Sequence, residues 1–181
     1  MLLDTPICDF GWKVPDFTLV DFDSKPFTLS QNLGDKGLLV MFICNHCPYV
    51  QAIAKRLSTD AHTLIAENIN VVAVMSNDYH YVQADSPTNM KHFASQHNFT
   101  FPYLVDEGQH VGRAYGAVCT PDFFGLNNQG ELQYRGRFDD ARAGANSNRE
   151  SELLLAMRQI ARTGRGPQEQ FASMGCSIKW S

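Results

Sequence analysis

Two cysteines two residues apart, in Cys44-Asn45-His46-Cys47, are the side chains best suited by type and spacing to do chemistry. Such a pair reads as a dithiol that opens and closes a disulfide. The surrounding stretch, Gly37 to Leu57 (GLLVMFICNHCPYVQAIAKRL), places an apolar strand before the pair and Pro48 with a helical pattern after it. A helix start leaves N–H groups unpaired and carries about half a positive charge, which favours a thiolate over a thiol. Pro48 suits the first turn, because its φ is already helical and the N–H it lacks would have had no partner. The dipole is worth about 0.3–1 kcal/mol, up to ~2 when partly buried, or about one pKa unit. Nearby N–H groups and a protonated His46 add to this, and a fall from about 8.5 to about 7 makes roughly half of a thiol anionic at neutral pH. Cys44, at the expected exposed entrance, is the expected attacking thiol, and Cys47, inside the helix, the resolving one.

The elements that must position this pair follow from periodicity. Leu38 to Ile43 is apolar throughout, as a strand covered on both faces would be. From Cys47 to about Glu67, Val50, Ile53, Ala54, Leu57, Ala61, Leu64 and Ile65 recur at helical intervals. Upstream, Asp16–Val20 and Pro26–Leu29 read as two short strands around a polar turn, and Ser30 as the cap of a brief helix. Downstream come a strand at Ile69–Met75, a polar, aromatic-rich loop at Asn77–Asp85, and a helix opened by Ser86-Pro87 and running to about His97. A third strand at Phe101–Asp106 and a short helix at His110–Tyr115 follow. Asp122–Leu126 and Glu131–Arg137 form a hairpin about Asn127-Asn128-Gln129-Gly130, and Arg149–Arg162 is a closing helix. The order is β-α-β-α-β, then β-β-α.

At 181 residues and 44% apolar content, with no linker-like segment, the chain is expected to form a single domain over 1–181, with 163–181 as a tail packed on it. A net charge of −4 without a basic run excludes a nucleic-acid or anionic-membrane surface as the expected partner. The N-terminus MLLDTPICDFGWKVPDF has no long apolar core, so neither a secretory signal nor a membrane span is expected. A cytoplasmic setting follows as the expectation, and five cysteines, an odd number, suit free or catalytic thiols there.

The Cys-x-x-Cys at a strand–helix junction, with Thr120-Pro121 just before the hairpin, resembles the thioredoxin superfamily. The opening VPDFTLVDFDSKPFTLSQ is similar to its redoxin branch, and CNHCPYV, CTPD and GCSIKW are similar to bacterial peroxiredoxin-like proteins of that fold. The resemblance implies an α/β, thioredoxin-like fold: a central mixed β-sheet flanked by helices, with an N-terminal β-hairpin extension. It implies that Thr120-Pro121 is cis and faces Cys44 and Cys47, leaving the Thr120 backbone free to pair with an extended peptide. Two departures stand out. Thioredoxins carry a buried carboxylate in the strand before the motif, whereas Leu38–Ile43 holds no acid. Peroxiredoxins place threonine three residues before a Cys-Pro, whereas here Cys44 occupies that position ahead of Cys47-Pro48.

Further candidates carry bland alternatives. Cys119, two residues before Pro121, is a candidate resolving thiol or an ordinary core cysteine. Cys176, in the tail that Trp180 is expected to anchor, is a candidate redox partner of Cys119 or Cys44, while Cys8 is incidental. His46 lies between the thiols, where intervening residues tune potentials that span about −270 to −120 mV across such proteins. The cluster Arg135, Arg137, Asp139, Asp140, Arg142 reads as a solvated strand end, and His62, His80, His92, His97 and His110 lack ligand spacing. The leading expectation is a thiol-disulfide oxidoreductase acting through Cys44 and Cys47 on protein or small disulfides. Its reductant would be another thiol protein or glutathione, with no cofactor and no resident metal. The alternatives are an antioxidant thiol peroxidase, with Cys47 attacking peroxide beside an arginine such as Arg137, and a soft-metal (copper or zinc) carrier or sensor using Cys44, His46, Cys47 and Cys119.

Overall fold

The computed structural model describes residues Met1 to Ser181. At its centre lies β4 (Leu38–Phe42), paired in parallel with β5 (Asn70–Met75) and antiparallel with β8 (Asp122–Leu126). Side chains alternate across a strand, so Leu39 and Met41 join one core cluster while Leu38, Val40 and Phe42 join the other. That two-sided burial is why the β4 sequence is apolar without alternation. The first cluster is closed by α1 (Pro48–Ala66), α2 (Pro87–Gln96) and α4 (Glu152–Thr163), and the second by α3 (His110–Tyr115) with the N-terminal segment around Val14 and Phe17.

The central sheet has seven strands in the order β3-β2-β6-β5-β4-β8-β9, where β2 is Thr18–Asp21, β3 Pro26–Thr28, β6 Tyr103–Val105 and β9 Leu132–Tyr134. Parallel and antiparallel pairs are mixed, and the β2–β3 hairpin is added at the β6 edge. The fold is therefore α/β and thioredoxin-like, with a central mixed sheet flanked by helices. Asn127 holds the β8–β9 turn, its Oδ1 accepting from the Gln129 and Glu131 N–H groups at 3.0 Å each.

Several local expectations change. Ser30 lies inside a 3-10 turn, Leu29–Gln31, that Thr28 precedes, and Ser30 N–H donates to Asp16 rather than Ser30 capping a helix. The closing helix begins at Glu152 instead of Arg149, because the Arg149 guanidinium reaches back to Asp60 at 2.8 Å and Asp139 at 3.3 Å. Of the cluster read as a solvated strand end, Asp140 and Arg142 are exposed, but Arg135, Arg137 and Asp139 are not. Asp139 is buried between Arg56 and Arg149, and buried Arg135 pairs with Asp122 at 2.9 Å and covers the Phe124 ring.

A second, three-stranded sheet was not legible in the sequence: β1 (Leu2–Asp4), β10 (Met174–Ser177) and β7 (Cys119–Thr120), in the order β1-β10-β7. Beyond β10, the Trp180 ring stacks under Arg113, 4.5 Å from the guanidinium carbon. A Cβ on Gly175 of β10 would lie 1.9 Å from the Thr120 carbonyl oxygen, so only glycine allows this close approach. Gly175→Ala is expected to lower stability by about 1–3 kcal/mol, read as a lower urea midpoint. An unchanged midpoint would show that β10 does not pack here.

Candidate active site

Cys44 stands two residues past the end of β4, and Cys47 is the residue immediately before α1, with Pro48 opening the helix. Parallel strands end on the same side, so the segment after β5 comes to lie beside the Cys44–Cys47 loop. From it a 3-10 turn, Gln83–Asp85, delivers a fully buried carboxylate. Asp85 Oδ1 accepts from the Asn45 N–H at 2.7 Å and the His46 N–H at 3.2 Å. Its Oδ2 meets His46 Nδ1 at 2.6 Å and accepts from Asn77 Nδ2 at 2.9 Å. The Asn45 side chain is fixed too, donating to Ala84 O and accepting from the Tyr103 hydroxyl at 2.8 Å. Sequence reasoning missed Asp85 and Tyr103: one lay in a polar loop and the other read as a plain strand residue.

Asp85 and His46 hold each other charged. Burial acts to raise the Asp85 pKa, but hydrogen bonds from His46 and Asn77, the His46 charge and the Asn45 N–H outweigh it and lower it. The hydrogen bond to Asp85 raises the pKa of His46 against the opposing effect of burial.

From the other side comes Thr120, followed by a cis Thr120-Pro121 bond. Its hydroxyl lies 3.4 Å from Cys44 Sγ, and its carbonyl accepts from Cys47 Sγ at 3.3 Å. Cys44, Cys47, His46, Pro48, Thr120 and Pro121 are thus brought to one place.

The expectation for Cys44 requires correction on two counts. It is no more open than its partner, with relative exposures of 1% for Cys44 and 0% for Cys47. The helix start also acts on the other sulfur, since Cys47 and not Cys44 adjoins the first turn. The hydrogen bond shared with Cys47, burial and the nearby Asp85 charge all raise the Cys44 pKa, with the Thr120 hydroxyl opposing. Cys47 is lowered, first by the Cys44 hydrogen bond, then against burial by Thr120, the Val50 N–H of the first turn and the Cys176 thiol. Cys47 S–H donates to the Thr120 carbonyl at 3.3 Å.

Cys176 therefore joins the site, from β10, which lies antiparallel on β7 with Cys176 opposite Thr120. This strand also overturns the expected open edge: the Thr120 backbone faces a segment of the same chain, not a vacant peptide groove. Cys119, beside Thr120, directs its sulfur to the Pro121 carbonyl at 3.9 Å, and burial pushes its thiol up to about 12. Cys8 is half-buried apart from the pair, beside Arg135 and Gln170, and burial pushes it up to about 11. Arg137 is held by Glu152 at 2.6 and 3.1 Å and lies over the Phe171 ring.

Ligand atoms of Cys44, His46 and Asp85 lie within 4.8 Å of one another, a different trio from the Cys44, His46, Cys47 and Cys119 set of the metal alternative. Asp85 already accepts four hydrogen bonds, two per oxygen, which leaves a metal ion no free lone pair on it.

A family model, that of the AhpC/TSA family, matches residues 10–135. The chain belongs to the AhpC/TSA family. It is similar over its whole length to an uncharacterized conserved protein from Geobacillus kaustophilus, with 36% identity, 97% of that chain covered and a TM-score of 0.92. A hypothetical protein from Sinorhizobium meliloti 1021 is 35% identical over 98% of this chain and 97% of its own, with a TM-score of 0.90. The thiol-disulfide oxidoreductase ResA of Halalkalibacterium halodurans is 22% identical over 71% of this chain and 69% of its own length. With the paired cysteines, this membership makes the chain an oxidoreductase of the thioredoxin superfamily's redoxin branch. No helix is long and apolar enough to cross a membrane.

Both ends of the Asp85–His46 pair set a pH window. The raised His46 pKa gives stability that is complete below the ordinary histidine value of about 6.5 and is lost as pH rises through the higher folded value. The lowered Asp85 pKa gives stability present above about 3.9 and lost as pH falls through its folded value. Asp85→Asn is expected to cost about 3 kcal/mol, most strongly between roughly pH 4 and 6.5, in unfolding measured across pH. NMR titration should show His46 dropping toward its ordinary value in the variant. A stability difference independent of pH would remove the ion pair from the account.

Proposed function

We propose that the chain is a thiol-disulfide oxidoreductase whose working pair is Cys44 and Cys47. One observation carries this: the two sulfurs meet at Thr120, Cys44 at its hydroxyl and Cys47 at its carbonyl, at a helix start beside the His46–Asp85 pair. The Cys47 thiolate attacks one sulfur of a substrate disulfide, forming a mixed disulfide and expelling a thiolate that takes up a proton. Cys44, losing its proton, then attacks the Cys47 sulfur and expels the second thiolate. The substrate gains two electrons and the enzyme holds a Cys44–Cys47 disulfide; the reverse sequence oxidises a dithiol. Substrates are protein or small disulfides, and a thiol protein or glutathione restores the dithiol without any bound cofactor. A cytoplasmic setting is part of the proposal, supported by the odd cysteine count.

A thiol peroxidase is the second reading, favoured by one observation: the lowered thiol is Cys47, the one that precedes proline. Against it, the Arg137 guanidinium is committed to Glu152.

Reduced protein mixed with a small aromatic disulfide is expected to show a burst of thiol release that Cys47→Ser slows by about 100-fold or more. Cys44→Ser with Cys176→Ser, which removes both neighbouring thiols, should react and then stall as a mixed disulfide, visible by mass spectrometry. If Cys47→Ser reacts as fast as the parent, the assignment is wrong; rapid peroxide consumption by the parent with slow disulfide exchange would put the peroxidase reading first.

A further inference from the structure

Three sulfurs, not two, converge on the helix start. Cys176 is directly opposite Thr120 in the β7–β10 pairing, and Thr120 is the residue whose hydroxyl meets Cys44 and whose carbonyl meets Cys47. Side chains directly opposite on an antiparallel pair share a face, so Cys176 projects to the side of the sheet where the pair lies, and it packs against the core cluster that holds Cys44 and Cys47. Gly175 allows this approach, since any Cβ there would strike the Thr120 carbonyl. Cys119 and Ser177 form the neighbouring register pair and face the other way. Cys176 is also partly exposed, whereas Cys44 and Cys47 are covered.

We propose that Cys176 is a third redox thiol, which takes over the Cys47 sulfur from Cys44 and carries the disulfide to the surface as Cys47–Cys176. The inference rests on the exchange activity proposed for Cys44 and Cys47. The Cys176 thiolate attacks Cys47 Sγ of the Cys44–Cys47 disulfide; the Cys47–Cys176 bond forms, the Cys44–Cys47 bond breaks, and Cys44 leaves as a thiolate that takes up the proton Cys176 gave up. No electrons are gained or lost in this step. An external thiol then attacks the accessible Cys176 sulfur and expels the Cys47 thiolate. A second external thiol attacks the mixed disulfide so formed, freeing Cys176, and leaves as the oxidised product of two thiols.

The local electrostatics time the step. In the reduced protein burial, the hydrogen bond to Cys47 and the Cys47 charge push the Cys176 thiol up to about 11, with Lys179 and the N-terminal ammonium opposing. Once Cys47 is tied in a disulfide it bears no charge, and two of the three influences that keep Cys176 protonated are gone. Oxidation of the pair thus makes its third neighbour more nucleophilic.

The test is disulfide mapping of the full chain, oxidised with diamide at low protein concentration, alkylated, digested and read by mass spectrometry. Cys44→Ser is expected to give an intramolecular Cys47–Cys176 link in most molecules. Moving the thiol one residue along the strand, in Cys44→Ser with Cys176→Ser and Ser177→Cys, is expected to abolish linkage to Cys47, because adjacent residues face opposite sides. Free, alkylated Cys47 and Cys176 in oxidised Cys44→Ser, or equal linkage from position 177, would overturn the third thiol. If the parent still forms Cys44–Cys47 under the same conditions, the exchange reading survives that failure. If the parent forms neither Cys44–Cys47 nor Cys47–Cys176, the exchange reading itself fails.

Discussion

One buried carboxylate holds the reactive loop. Asp85 uses all four acceptor positions on groups that would otherwise be stranded: two backbone N–H groups of the Cys-x-x-Cys turn, the His46 ring and the Asn77 amide. An unpartnered buried charge is costly, and unpaired buried N–H groups are costly too. Each therefore stabilises the other, and the loop has a single well-satisfied arrangement. That arrangement sets Cys44 at the entry to the turn and Cys47 at the mouth of α1. The hydrogen bond to Cys47, burial and then the Asp85 charge disfavour an anion on Cys44, while the helix start favours one on Cys47.

Thr120 is the second organising residue, and it works through its backbone as much as through its hydroxyl. Its carbonyl faces Cys47, its hydroxyl faces Cys44, and its strand pairs with β10. A two-residue strand such as β7 could not stand alone; it is stabilised as the edge of a sheet that also takes in both chain termini. The C-terminal segment thus occupies the strand edge an extended peptide would pair with, and it brings a cysteine there.

In this AhpC/TSA chain the paired cysteines lie where one strand end, one helix start and one strand near the C-terminus meet. The resemblance to thioredoxins placed a carboxylate in the strand before the motif, and that strand has none. The structure supplies one from the segment after β5, with contacts to the turn's backbone and to His46. A carboxylate near the motif is present, though its place in the chain differs.

Periodicity in the sequence was enough to determine the alternation of strands and helices, the both-face burial of Leu38–Phe42, the amphipathic α1 and the junction at which two cysteines meet a helix start. These are local properties: side-chain spacing and a proline in the first turn. The tertiary structure alone decided that the reactive turn is held by a carboxylate 41 positions from Cys44 in the chain, because Asp85 reaches the Asn45 and His46 N–H groups only through packing. It also decided that Cys176 enters the site and Cys119 faces away, because strand register between residues more than fifty positions apart is set by packing and backbone pairing, and leaves no periodic trace in the residues themselves.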